Sequence, residues 1–141
     1  MTTLSVTNLS CITSLLESAL LEIDEKGRRS TDEVLSTIRF SLTANGTVLV
    51  DNALAPNVVA WLLSNEGFFS KHKYLNVMFS YYKEGVSPLP LIDAIEKYAE
   101  ATKHDKIVAN NIEGEEDDWV KQGFSLANVR ANKEVSNGNG W

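Results

Sequence analysis

The residues best suited to chemistry lie in the stretch KEGVSP, residues 83–88, between a strand-like run and an amphipathic helix. Gly85 has no Cβ to obstruct a tight turn or a ligand lying on the backbone. The N–H groups of Val86 and Ser87, with the Ser87 hydroxyl, are placed to meet phosphate oxygens at a helix start. Pro88 donates no N–H, and Pro90 falls in the first helical turn, where proline is tolerated. The same pattern also serves as a rigid strand–helix joint, and both readings stand. His72 and His104 are far apart and form no HxxxH or HExxH motif, so a histidine metal site is poorly supported. The acidic residues Glu113, Glu115, Glu116, Asp117 and Asp118 lack calcium-loop spacing and read as a solvated helix start. Ser10, Cys11 and Ser14 carry no nucleophile signature. Trp61, Phe68, Phe69, Tyr81, Tyr82 and Trp119 suit a ligand groove, or more simply core and rim packing.

These residues need elements to hold them. Residues 74–82 are rich in aromatic and β-branched side chains, and their alternation is imperfect, as expected of a largely buried strand. After Gly85 the spacing turns helical: Leu89, Leu91, Ile92, Ile95, Tyr98 and Ala99 share one face. Upstream, residues 3–7 suit a short strand and residues 10–23 a helix capped by Ser10. The polar turn DEKGRR then leads to a second helix with Ser30 and Glu33 in capping-box spacing. Asn45-Gly46 opens a strand through TVLV, which pairs as a hairpin with residues 57–63. Residues 104–110 hold another strand, residues 112–118 lead into a helix that Gly123 ends, and residues 125–134 form a last strand. The order is β-α-α-β-β-β-α-β-α-β, an α/β (α+β) chain of one domain over 1–135, with a flexible tail at 136–141.

Bulk composition narrows the function. A chain of 141 residues holds one hydrophobic core. Its net charge of −6, with no concentration of Lys or Arg, disfavours a nucleic-acid partner. The lone Cys11 excludes an intrachain disulfide framework, and no apolar run is long enough to span a membrane. A cytoplasmic, membrane-free protein is expected.

The order of elements over residues 2–135 resembles the GNAT superfamily of acyl-CoA-dependent N-acyltransferases. Residues 82–87, YKEGVS, stand where that family has Arg/Gln-x-x-Gly-x-Gly/Ala, with Gly85 matched, Ser87 a small replacement and Tyr82 a departure. The run DDWVKQGF resembles the family's Phe-Tyr-x-x-x-Gly-Phe, with Gly123 and Phe124 retained and Trp119 in the tyrosine's place. The resemblance implies a mixed central sheet flanked by helices, and transfer of an acetyl or other acyl group from acyl-CoA to an amine, small or on a protein. It places pantetheine beside Met78, Phe79, Ser80 and Tyr81, and pyrophosphate at Gly85, Val86 and Ser87. A further polar contact falls to Asn110 or Asn111. Backbone N–H groups at 78–81 would polarise the thioester carbonyl.

The departures bear on catalysis. Residues 74–83 hold no carboxylate, which leaves Glu66 or His72 to activate the amine through water. An indole N–H at Trp119 is a donor without being a practical general acid. An amine arriving deprotonated can still react by proximity. The alternatives are a non-catalytic module derived from the same superfamily that binds a protein partner, and an unrelated small α/β domain. Oligomeric state is not legible in the residues.

Overall fold

The chain forms its elements for local reasons that are mostly visible. In the computed structural model, residues 1–23, 29–66, 71–110, 112, 114–127 and 130–135 are described. The expectations for Phe68, Phe69, Asn111, Glu113, most of the DEKGRR turn and the 136–141 tail fall outside them. Ser30 starts α2 (Thr31–Leu42) by accepting the Glu33 N–H at 3.1 Å, and Asp32 and Glu33 sit favourably at its positive end. Helix α3 (Leu89–Ala101) buries Leu91, Ile92, Ile95 and Ala99 along one stripe.

The N-terminal expectation needs correction. The opening strand β1 is only Thr2–Thr3, and a 3-10 helix (Val6–Ile12) precedes α1 (Thr13–Ile23). The Asn8 Oδ1 reaches back to accept the Ser5 N–H at 2.7 Å, so the helical path begins earlier than Ser10. Ser10 instead offers its carbonyl to the Thr13 hydroxyl at 2.7 Å.

The remaining strands are β2 (Gly46–Val50), β3 (Val58–Glu66), β4 (Lys73–Tyr82), β5 (Lys106–Ala109), β6 (Ser125–Ala127) and β7 (Arg130–Glu134). The expected single last strand is thus an antiparallel pair, β6 and β7. The short helix α4 (Glu116–Lys121) lies between β5 and β6, and Gly123 follows it at φ +86°, a C-cap geometry. The sheet order is β1-β2-β3-β4-β5-β7-β6, and among these pairs β4 and β5 alone are parallel. The architecture is therefore the expected mixed α/β sheet flanked by helices.

Two apolar layers cover the sheet. On one face α3, Trp119 and Phe124 pack over Val58, Ala60, Leu62, Leu75 and Val77. On the other, the 3-10 helix, α1 and α2 pack over Val48, Val50 and Val59. Strand alternation assigns each side chain to a face, until Met78 breaks it. The register pairs Trp61 with Phe79 but Leu62 with Val77, so Met78 is an extra residue, a β-bulge. Leu75 and Val77 accordingly point into the α3 layer, while Phe79 and Tyr81 pack with the α1–α2 layer and Tyr82 returns to the α3 side.

Candidate functional site

The bulge coincides with a parting of strands. β5 accompanies β4 only from Tyr74–Lys106 to Val77–Ala109, and the Asn110 N–H closes the ladder on the Val77 carbonyl at 3.2 Å. β4 runs on through Tyr82, paired only with β3. Among the described residues, no strand covers the other edge of residues 78–82. A strand edge with its alternate N–H and C=O groups unpaired, lined by a protein layer, is a receptor for an extended ligand carrying amides. Met78, Phe79, Ser80 and Tyr81 all lie on this segment, and Asn110 lies where the strands part, its Nδ2 also 3.5 Å from the Val77 carbonyl.

β4 then enters the turn. Gly85 adopts φ +81°, where an L side chain costs about 1–2 kcal/mol. A Cβ there would meet nothing within 4 Å, so conformation rather than packing requires glycine. The turn's donors are fewer than its sequence suggests. The Val86 N–H is committed to the Lys83 carbonyl at 3.0 Å, and the Ser87 Oγ accepts the Leu89 N–H at 3.3 Å. Pro88 and Pro90 supply no N–H, and the Leu91 N–H goes to the Pro88 carbonyl at 3.1 Å. Among the described residues, the N–H groups of Glu84, Gly85 and Ser87 are left as the turn's donors toward an anion.

A buried polar cluster closes the α3 side of this region. The Tyr82 Oη, the Glu115 Oε1 and the Trp119 Nε1 are all buried, and none closes a hydrogen bond with good geometry. The three groups nevertheless lie close enough to perturb one another. Burial pushes the Glu115 carboxyl up to about 7; the Asp118 and Glu116 charges add to this, while the Tyr82 hydroxyl and Trp119 indole pull back. Burial first, then the Glu115 charge, pushes the Tyr82 hydroxyl far above the ordinary phenol range, so it stays protonated. Trp119 is fully buried and packs edge-on against Phe124 at 4.9 Å. Sequence reasoning placed Trp119 in the region but left Glu115 among solvated carboxylates, and gave Tyr82 only as a groove or packing aromatic and as a departure from the cofactor-turn motif. The available signal was slight: one carboxylate directly before a short helix whose inward residue is tryptophan.

Other candidates lie elsewhere. Glu66 pairs with Lys73 at the beginning of β4, and His72 stands beside it, 3.9 Å from the Asp105 carboxylate and stacked on Tyr74. Roughly 17 Å of strand separates Lys73 from Met78 at about 3.3 Å per residue. Glu66 and His72 thus lie at the opposite end of β4 from residues 78–82. Tyr81 points to the opposite face, where its hydroxyl donates to the Glu22 Oε1 at 3.2 Å. His104 is buried in a complete network. The Thr102 hydroxyl donates to the Tyr98 carbonyl at 2.6 Å and so accepts from His104 Nδ1 at 2.7 Å; His104 Nε2 then accepts the Ser64 hydroxyl at 2.8 Å. Among the described residues no cluster of His, Cys, Asp and Glu is arranged to hold a metal ion, and no helix is long and apolar enough to cross a membrane.

No family model matches the sequence. A ribosomal protein L11 methyltransferase from Caldicellulosiruptor bescii is 30% identical over 105 residues, which cover 72% of this chain but 34% of that protein. The chain thus spans about a third of that relative's length. Solved structures agree on architecture. A predicted acetyltransferase with acetyl-CoA from Clostridium acetobutylicum superposes with a TM-score of 0.73 at 10% identity, covering 90% of each chain. A ribosomal-protein-alanine N-acetyltransferase from Brucella melitensis biovar Abortus gives 0.65 at 16% identity over 90% of this chain and 91% of the other. Aminoglycoside 6'-acetyltransferase type Ii gives 0.68 at 10% identity over 96% and 98%. The chain has the fold of the GNAT acetyltransferases.

Proposed function

We propose that this chain binds an acyl-CoA, acetyl-CoA or a relative, along the free edge of β4 and transfers its acyl group to an amine. The observation that carries this reading is the bulge at Met78 coinciding with the departure of β5, which exposes residues 78–82 as an unpaired edge. The chain's own groups suit the ligand's chemistry. Backbone N–H and C=O groups at 78–82 match pantetheine amides, and the orphaned Tyr82 Oη and Trp119 Nε1 are further polar partners. The Glu84, Gly85 and Ser87 N–H groups are left for the pyrophosphate. A strand N–H beside the bulge would polarise the thioester carbonyl, as preorganised backbone donors do. Asn110 would flank the pantetheine where β5 departs. The bound thioester supplies an activated acyl group, and the chain orients it and excludes water.

The acceptor is an amine, small or on a protein, and the net charge of −6 favours a cationic one. Glu66 and His72, at the beginning of β4, are candidates for acceptor binding only if the acceptor spans the length of the strand. The test pairs calorimetric titration of acetyl-CoA and free CoA with mass-spectrometric detection of acetylated product over a panel of amines. Micromolar CoA binding with product from at least one amine is expected. No binding at millimolar CoA would overturn the reading.

A specific observation also favours a non-catalytic module. The full burial of Trp119 against Phe124 turns the position of a familiar general acid into core. Binding of CoA without product from any amine would select that alternative, with the protein partner still to be found.

A further inference from the structure

We infer that the acyl donor is held by its pantetheine arm and a single phosphate, so that the chain accepts phosphopantetheine thioesters as a class and does not depend on the second phosphate and nucleotide of CoA. The inference rests on the acyl-transfer reading and narrows what its donor site recognises. It begins at the start of α3. A helix ordinarily leaves its first N–H groups unpaired, and with the positive end of the helix dipole they make the usual seat for a diphosphate after a strand and turn.

Here the chain fills that seat itself. The Leu89 N–H donates to the Ser87 Oγ at 3.3 Å, and Pro90 has no N–H. The Leu91 and Ile92 N–H groups both donate to the Pro88 carbonyl at 3.1 Å, and Pro88, at the N-cap, has no N–H of its own. The first turn of α3 is therefore closed to an anion. Donors remain in the preceding turn, at Glu84, Gly85 and Ser87, while the Val86 N–H between them is spent on the Lys83 carbonyl at 3.0 Å. Three N–H groups in so short a stretch suit the oxygens of one phosphate. Charge points the same way. Residues 82–88 carry one cation, Lys83, and one anion, Glu84, so the turn is neutral. The Glu84 charge reaches Tyr81, and the Asp118 charge reaches Tyr82 from α4. These carboxylates oppose further phosphate charge at this end of β4.

The pantetheine arm is served differently. The edge of β4 at residues 78–82 offers strand N–H and C=O groups to amides laid alongside it. Affinity is thus concentrated on the arm, and the nucleotide beyond the turn adds little. Two sources present the same arm. One is CoA. The other is phosphopantetheine joined through its one phosphate to a serine of a carrier protein, where the phosphate is a diester of single negative charge. The shared chemistry is a phosphopantetheine thioester, and Ser87, Pro88 and Pro90 are the residues that set this preference by closing the helix start.

The test measures, by calorimetry, the binding of CoA, of free phosphopantetheine and of a short peptide carrying phosphopantetheine on a serine. CoA and phosphopantetheine should bind within about threefold of one another, and a tenfold rise in salt should change CoA affinity by less than about threefold. The peptide assigns the source: tighter binding than CoA identifies a carrier-borne arm, weaker binding identifies CoA, and equal binding means that the arm is all that is recognised. Ser87→Ala combined with Pro90→Ala returns two N–H groups to the helix start, and should tighten CoA about tenfold relative to phosphopantetheine. An unchanged ratio in that folded variant would overturn the role given to Ser87 and Pro90. CoA bound by the wild type at least about tenfold more tightly than phosphopantetheine would overturn the inference and leave the acyl-transfer reading standing. No binding of any of the three at millimolar ligand would overturn both.

Discussion

β4 has two ends that treat buried polar groups in opposite ways. At its beginning, the Asp105 carboxylate accepts the Lys73 N–H at 2.8 Å, the Lys73 ammonium donates to the Thr102 carbonyl at 3.2 Å, and His104 is held on both ring nitrogens. These bonds join the ends of β3 and α3 to the parallel β4–β5 pair. At its far end, past the bulge, Tyr82, Glu115 and Trp119 gather as many polar groups with their terminal atoms unpaired. A network that is complete can act as a latch, since every donor and acceptor already has its partner. One that is incomplete costs stability and is better explained by something that binds there. The contrast supports the open end as the place where the proposed ligand binds.

The largest expected effect breaks the closed end. His104→Ala deletes a buried ring and leaves the Ser64 hydroxyl without its acceptor, and should destabilise the fold by about 3 kcal/mol in urea denaturation. CoA affinity per folded molecule should hardly change. A cost below about 1 kcal/mol would show that the latch is decorative and weaken the contrast.

The two ends should also answer pH with opposite signs. Burial, then the Lys73 charge, hold His104 down to about 4, against the opposing pull of Asp105. Between about pH 4 and 6.5 the unfolded chain therefore binds more protons at this site, and stability rises with pH. Glu115, at about 7, reverses this: from about 4.5 to 7 the folded chain holds the extra proton, so stability falls as pH rises. Allowing for solvent screening, each contribution is on the order of 1–2 kcal/mol. Stability curves should show Glu115→Gln gaining on wild type from pH 4.5 to 7. A parallel pair of curves would mean that Glu115 titrates as a solvated carboxylate.

The smallest effect sharpens the open end. Tyr82→Phe removes a buried hydroxyl that closes no hydrogen bond, so stability should stay level or rise by up to about 1 kcal/mol. A loss greater than that, by thermal or urea unfolding of the ligand-free protein, would show the hydroxyl to be a structural partner and make the two ends alike.

Much of this architecture is written in short-range pattern. Ser30 three residues before Glu33, apolar residues at three- and four-residue spacing after Gly85, and the glycine itself each act within a turn or two of chain. Capping, helical amphipathicity and a positive φ are local matters, and the elements they specify stand where the residues put them. Even the bulge left a trace, in the imperfect alternation of residues 74–82, although alternation cannot say which residue is extra. That identity, Met78, comes from the register against β3, a long-range pairing. The parting of β4 from β5 is likewise a property of two strands separated by a helix. Glu115, Glu116, Asp117 and Asp118 read in sequence as four similar carboxylates, and only the tertiary structure shows that burial pushes the Glu115 carboxyl up to about 7. Composition sets which side chains are charged; burial, which depends on what the rest of the chain lays over them, sets how tightly each holds its proton.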